Sequence, residues 1–378
     1  MTRLLYFSPV PAGSYAQRPH FLVRACLEQG VESVLWVNPY PCRLPQWSDW
    51  RRAGVPRQPS TAWDNRVQIV DVPALPLEPL PGGTWLNQRL FWRGAWQTIV
   101  EYAAAGDFLL GIGRPCAFAL QALDRLRPTS SFYDAMDNFP EFHQGLSRRA
   151  MQAHEEAIAN RVDRILASST FLTDKFARRG LPVEKLLNGF EPDALTPCSH
   201  VVEQGTTVLG YVGCIGRWFD WPLVIQLAKA MPSARIELVG PCVVGPPEKL
   251  PGNVRMLPAC RHSEVRNHLE RFSAGLIPFV NDALTAGVDP IKFYEYRAAG
   301  LPILSTSFGE MVLRGAADNV YFLDQSADIA ATVGEALNGQ RNVRELRDFA
   351  RENSWASRFY QSNYFQKVLP ASVTRRAA

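Results

Sequence analysis

The sequence predicts an α/β protein made of two Rossmann-like, doubly wound domains that face each other across a cleft. Two observations carry this. Short apolar runs rich in β-branched and aromatic residues alternate with amphipathic helical stretches almost throughout, the pattern of parallel sheets covered on both faces. A chain of 378 residues also suggests two domains, and two blocks of alternation meet at NGFEPDALTPCSHVVEQGT (188–206), which is polar, turn-rich and strand-poor.

In the first block the expected strands are 3–8, 33–38, 66–71, 107–112, 130–135 and 163–168. Helices are expected over 18–29, 85–104, 115–126, 145–160 and 170–179. VPALPLEPLPGGT (72–84) is expected as an extended surface loop, because its prolines and glycines interrupt both periodicities. In the second block the strands are 206–213, 234–240, 254–258, 274–279, 301–306 and 320–324, with helices between them. SWASRFYQSNYFQKVL (354–369) reads as one amphipathic helix with aromatic residues at helical spacing. The resulting domains are 1–190 and 205–354, with a final helix, 355–372, packing back on the first.

Composition narrows the function. A net charge of +4 is too small for a nucleic-acid stripe, yet suits a polyanionic small ligand or an anionic membrane surface. The seven cysteines are odd in number and scattered without a C-x-x-C pair, which points to reduced thiols in a cytoplasmic protein. No apolar stretch reaches the roughly 20 residues of a membrane span, and the opening MTRLLYFSPVPAGS reads as a first strand rather than a leader. The expected location is therefore the cytoplasm, with attachment to the inner face of the membrane left open. No metal-ligand spacing, Walker motif, G-x-S-x-G or dinucleotide G-x-G-x-x-G is present, which argues against ATPase, hydrolase and dehydrogenase chemistry.

Ligands of open parallel sheets bind at the carboxyl ends of the strands, so the candidates are the polar residues there. After the first strand, SPVPAGSYAQRPHFLVRA places Gly13 in a loop and Arg18 and His20 at a helix start. They are acceptor-binding candidates, set against the plainer reading of a solvated β–α turn. SSFYDAMDNFPEFHQG puts Asp134 and Asp137 at a strand end; either could take a proton from an acceptor hydroxyl, and either could be a turn former. LGYVGCIGRWFDWP gives Gly213, Gly216 and Arg217 between a strand and a helix, the geometry of a backbone cradle for a diphosphate. Gly240 follows another strand. DPIKFYEYRAAGLPILSTS (289–307) begins a helix at Pro290 and Ile291 and carries Lys292 and Glu295 in its first turns. As a surface pair they would contribute only about 0.2–0.5 kcal/mol.

NRVDRILASSTFLTDKFARRGLPVEKLLNGFEPDAL (160–195) resembles the end of the N-terminal domain in GT-B glycosyltransferases, family 4 above all, with Asn188 and Gly189 at the matching Asn-Gly. IKFYEYRAAGLPILST resembles the donor-site helix of the same enzymes, where Glu295, Gly300 and Pro302 match. QRPHFL resembles a bacterial cell-surface polysaccharide branch of the teichuronic acid and exopolysaccharide type. The resemblance implies that Glu295 holds the ribose hydroxyls of a nucleotide. It also implies that Lys292, as a catalytic group, neutralises the charge on a leaving nucleoside diphosphate. Two positions depart from the pattern: Gly287 stands where a second Glu is usual, and Cys214 where an Arg is usual, leaving Arg217 or Lys292 to supply the charge. A Lys on the donor helix also occurs in an inverting exopolysaccharide glucuronosyltransferase family, so the stereochemistry is open.

The expected activity is transfer of a hexose from a nucleoside-diphosphate sugar, of the UDP type, to a saccharide or lipid-linked acceptor, with no metal and no further cofactor. The alternatives are a nucleotide-sugar epimerase on the same fold and a non-catalytic nucleotide-sugar-binding protein. WLNQRLFWRGAW (85–96) could meet a lipid-linked glycan or an anionic membrane, or simply pack on the sheet.

Overall fold

The computed structural model describes residues 2–45, 63–192, 206–339 and 343–369, and it divides into two compact units. One runs to Leu187 and resumes at Phe359; the other spans Asn188 to Arg358. Most of the linker expected at 188–206, and the last residues of the expected 355–372 helix, lie outside the described residues.

Among the described residues the first unit has a seven-stranded, wholly parallel sheet in the order β3-β2-β1-β4-β5-β6-β7. The strands are β1 (Arg3–Phe7), β2 (Val34–Val37), β3 (Val67–Val70), β4 (Phe108–Ile112), β5 (Ser130–Ala135), β6 (Arg164–Ala167) and β7 (Val183–Lys185). The central strands β1, β2 and β4 are apolar along nearly their whole length because helices cover both faces. Those helices are α1 (Arg18–Glu28), α2 (Gly83–Leu90), α3 (Arg93–Ala104), α4 (Ala117–Arg125), α5 (Gly145–Ala159) and α6 (Thr170–Ala177).

The second unit repeats the design with six parallel strands in the order β10-β9-β8-β11-β12-β13. They are β8 (Val208–Val212), β9 (Arg235–Val239), β10 (Val254–Leu257), β11 (Ala274–Ile277), β12 (Ile303–Ser305) and β13 (Val320–Phe322). Helices α7 (Trp221–Ala230), α8 (His262–Leu269) and α9 (Ile291–Ala298) lie between the strands, α10 (Ile329–Leu337) and α11 (Val343–Glu352) follow β13, and after α12 (Trp355–Tyr360) the chain returns to the first unit with α13 (Asn363–Val368). In each sheet the strand order reverses beside the first strand, between β1 and β4 and between β8 and β11, which is where such sheets open a crevice.

Three expectations need correction. The helix expected over 85–104 is two helices: the N–H groups of Phe91 and Trp92 both donate to the Asn87 carbonyl. The Trp92 ring then turns inward against Phe118, 4.8 Å between centroids, and Tyr40 at 5.6 Å. The 354–369 helix is likewise broken. At the break Ser362 starts a new N-terminus, its hydroxyl accepting from the Phe365 N–H at 3.4 Å. Glu184 accepts from the N–H groups of Asn363 and Tyr364 at 2.8 and 3.0 Å. The 72–84 stretch is extended only to Leu75; beyond it the chain turns and buries Glu78.

Candidate active site

The residues of DPIKFYEYRAAGLPILSTS come together at the strand ends of the second unit. α9 stops where Gly300 enters the left-handed region at φ 76°. Its N–H donates to the Arg297 carbonyl at 3.0 Å and that of Leu301 to Tyr296 at 2.9 Å, a Schellman termination that only glycine adopts without strain. Tyr296 sets the height of the helix. Its ring lies over Gly275, where a Cβ would come within 2.3 Å of it, and its hydroxyl accepts from the Val212 N–H at 3.0 Å. The first turn of α9 is thereby held beside the end of β8.

That placement lays Lys292 on Gly213. A Cβ on Gly213 would sit 2.7 Å from both Cε and Nζ of the lysine, and Gly213 has φ 147°. The ammonium stands 5.1 Å from the Tyr211 ring centroid and 5.7 Å from that of Phe279. Among the described residues no hydrogen bond or ion pair reaches it. Burial lowers its pKa, while the Glu295 carboxylate on the same helix opposes that shift. Glu295 and Ile291 are half-buried and Pro290 is buried at the start of the helix.

Gly240, after β9, packs on the Gly213 backbone: a Cβ there would lie 2.2 Å from the Gly213 carbonyl oxygen. Gly216 is covered by the Trp218 indole, which a Cβ would meet at 2.5 Å, so this glycine admits a tryptophan rather than leaving an open cradle. Arg217 is exposed on the same loop. Asp289 does not point into a ligand space. It is buried, and Oδ2 accepts from the Asn188 N–H and the Tyr294 hydroxyl, each at 2.8 Å. The Asn188 side chain in turn donates to the Asp289 carbonyl at 2.7 Å. The Asn-Gly and Asp-Pro segments thus lock to each other, and burial pushes the Asp289 carboxyl up to about 6. Gly189 is held to glycine by the Asn353 carbonyl, 2.9 Å from where a Cβ would stand.

The first unit treats its candidates differently. Arg18 and Asp134 do come together, but as an ion pair with side chains 1% and 0% exposed. Arg18 Nε donates to Asp134 Oδ1 at 2.9 Å and Nη1 donates to the Leu186 carbonyl at 2.9 Å. Each is engaged with the other in the core. His20 is a core histidine: fully buried, Nε2 lies 3.3 Å from the Ala12 carbonyl and the ring stacks on Trp63 at 5.4 Å. Burial pulls its pKa down to about 4. Gly13 is exposed in the loop before α1.

Asp137 is the exception. It is half-buried beyond the end of β5, with no hydrogen bond to its carboxylate among the described residues. Burial pushes its pKa up to about 7; the Arg18 charge opposes the shift and the Asp134 charge adds to it. The Asp137 neighbour Asn138 is pinned, since Lys175 Nζ donates to it at 2.9 Å and to Glu155 at 2.6 Å. Sequence reasoning missed this buried network, as it missed Glu78, because its members lie far apart in the chain. Among the described residues no group of three or more His, Cys, Asp or Glu side chains is placed to hold a metal ion, and no helix is long and apolar enough to cross a membrane. The six described cysteines are free.

No family model matches the chain. It is 25% identical over 236 residues to a Bacillus subtilis protein assigned as a teichuronic acid biosynthesis glycosyltransferase, a match covering 57% of this chain and 59% of that protein's length. Among solved structures it is similar to a sucrose-phosphate synthase from Thermosynechococcus elongatus, with TM-score 0.71 and 12% identity over 98% of this chain and 100% of the other. It is similar too to an α,α-trehalose-phosphate synthase (UDP-forming) from Burkholderia vietnamiensis, with TM-score 0.62 and 14% identity over 98% and 100%. A trehalose-6-phosphate structure from E. coli with bound UDP-2-fluoro glucose gives TM-score 0.63 and 14% identity over 99% and 100%. At these identities the likeness establishes the fold: two parallel-sheet, Rossmann-like domains of the GT-B glycosyltransferase kind.

Proposed function

We propose that the protein is a glycosyltransferase that moves a hexose from a nucleoside-diphosphate sugar to a saccharide or lipid-linked acceptor in surface polysaccharide synthesis, without a metal ion. The observation that carries this reading is Lys292, a half-buried cation without a hydrogen-bonding partner among the described residues, set on Gly213 at the first turn of α9. A charge so placed is costly unless an anion meets it. The name of the Bacillus subtilis relative and the UDP-sugar in the E. coli structure supply the candidate anion, a sugar-linked diphosphate, UDP first.

In the reaction the acceptor hydroxyl loses its proton to the Asp137 carboxylate as its oxygen attacks the anomeric carbon. The bond from that carbon to the diphosphate breaks, and its electron pair stays on the phosphate oxygen, where Lys292 meets the new charge. Gly213 seats Lys292 and Gly240 packs on the Gly213 backbone behind it, Arg217 adds charge from the loop, and Pro290 and Ile291 open the helix toward the diphosphate. Glu295 accepts hydrogen bonds from the ribose hydroxyls. A single displacement with a carboxylate base inverts the anomeric centre. The first unit would hold the acceptor and the second the donor.

The test is release of nucleoside diphosphate from a panel of UDP- and GDP-sugars in the presence of acceptor, with the anomeric configuration of the product read by NMR. Lys292→Ala should lower kcat about 10²–10³-fold, the loss seen when one charge-stabilising donor is removed. Binding without release would favour a non-catalytic protein, and interconversion of the free sugar nucleotide an epimerase. A membrane-borne acceptor is favoured by α2 and the start of α3, where Trp85 is 64% and Leu90 61% exposed and Arg89 and Arg93 are exposed too.

A further inference from the structure

A small hollow opens at the C-terminal ends of β1, β2 and β4, beside the reversal of strand order in the first unit. Phe7, Ser8, Asn38, Tyr40, Cys116 and Arg114 are among its lining residues, and its free space is about 10 Å³, enough for one oxygen-sized group.

The polar groups around it are satisfied within the fold, with one exception. The Ser8 hydroxyl donates to the Val10 carbonyl at 2.7 Å. Asn38 Oδ1 accepts from the Ala12 N–H and from Trp36 Nε1, and Nδ2 donates to Asp71 at 2.7 Å. Tyr40 donates to Glu78 at 2.5 Å and accepts from the Phe118 N–H at 3.2 Å. Glu78 also accepts from the Ala117 N–H at 3.1 Å and has His154 Nδ1 at 3.3 Å from the same Oε1, so its oxygens are occupied in fastening the start of α4. Arg114 is the exception. It is half-buried in the β4–α4 loop, within the field of Glu78, and among the described residues no hydrogen bond or ion pair reaches its guanidinium. A planar guanidinium has five donors in a fork that fits a carboxylate or a phosphate two bonds at a time. A half-buried guanidinium whose N–H donors meet no acceptor among the described residues leaves that fork open to an anion.

We propose that Arg114 is the anion-binding group of an acceptor subsite at the ends of β1, β2 and β4, and that the acceptor carries a carboxylate or phosphate on its sugar. The proposal rests on the glycosyltransferase reading for the word acceptor; the anion site itself does not.

The experiment is isothermal titration of the full chain, first with UDP and then, at saturating UDP, with glucuronate, glucose 1-phosphate and glucose. Saturating UDP keeps the anionic probes off the donor site. At least one anionic sugar should bind tenfold or more tightly than glucose. Arg114→Gln should remove that difference and Arg114→Lys keep part of it, with the Tm of Arg114→Gln equal to or above that of the wild type. Which probe responds tells a carboxylate source from a phosphate source. Equal affinity for glucose and both anions, no binding of either anion, or a preference that survives Arg114→Gln would overturn the proposal, as would a marked fall in Tm, which would make the arginine structural. UDP binding is scored separately: if it is absent while the Arg114-dependent preference remains, the transferase reading fails and the anion site stands.

Discussion

The strand ends of the two units handle charge differently. In the second, glycines and a short helix place Lys292 on the Gly213 backbone with its ammonium unmatched among the described residues. In the first, Arg18 and Asp134 close on each other in the core, and Asp137, beyond them, keeps a carboxylate without a hydrogen bond among the described residues. The difference teaches that a charged residue at a strand end is a candidate for chemistry only after its internal partners have been counted. A buried matched pair holds elements together, whereas an unmatched charge beside flexible-backbone glycines is set to meet a ligand.

The largest expected effect separates Asp137 from its neighbours. Asp137→Asn should lower the rate of transfer about 10²–10⁴-fold, the usual contribution of a general base, while UDP affinity holds and Tm does not fall. Steady-state rates and a UDP titration on the same preparation check both halves. Next, Arg18→Ala or Asp134→Ala should cost about 3–5 kcal/mol of stability, because each leaves the other charge buried and unmatched. Denaturant unfolding measures this, and a loss of activity with stability intact would instead put the pair in the site. Gly213→Ala should cost about 1–3 kcal/mol, since its φ lies in glycine's region and the new methyl would displace Lys292. UDP affinity should fall with it.

How much of this was legible in the sequence follows the same division. Alternation of strands and helices gave every described strand except the short β7, because it depends on local periodicity. The Gly and Pro signals at 289–307 gave the start and end of α9, because they are statements about the backbone of the residues that carry them. The break at Asn87–Trp92 was not legible, since it depends on a tryptophan finding Phe118 and Tyr40 across the fold. Nor was the fate of Arg18, whose partner is 116 residues away. The sequence placed both aspartates at one strand end and could not choose between them, because the pairing of Asp134 with Arg18 spans 116 residues. Arg114 passed unnoticed in GIGRPC because what distinguishes it is a missing partner.

A smaller effect sharpens the contrast through pH. The Asp137 carboxyl, with its pKa raised to about 7, stays protonated in the fold from about pH 4 to 7, where an unfolded aspartate is already ionised. Folding therefore takes up a proton in that window, and the contribution of this group to stability falls as pH rises through it. Asp137→Asn should accordingly melt above the wild type at pH 8 and match it near pH 4. The activity of the wild type should decline as pH falls through 7, as the base becomes protonated.

The central claim, that the second unit holds a nucleoside diphosphate against Lys292, is tested most directly by melting wild type, Lys292→Ala, Glu295→Ala and Asp137→Asn with UDP, with GDP and without ligand. A ligand at 100 times its Kd stabilises by about 2.7 kcal/mol, a shift easily read. The account predicts that one nucleotide raises the Tm of the wild type and of Asp137→Asn, and that the shift is lost in Lys292→Ala and reduced in Glu295→Ala. No shift with either nucleotide, or a full shift in Lys292→Ala, would contradict it.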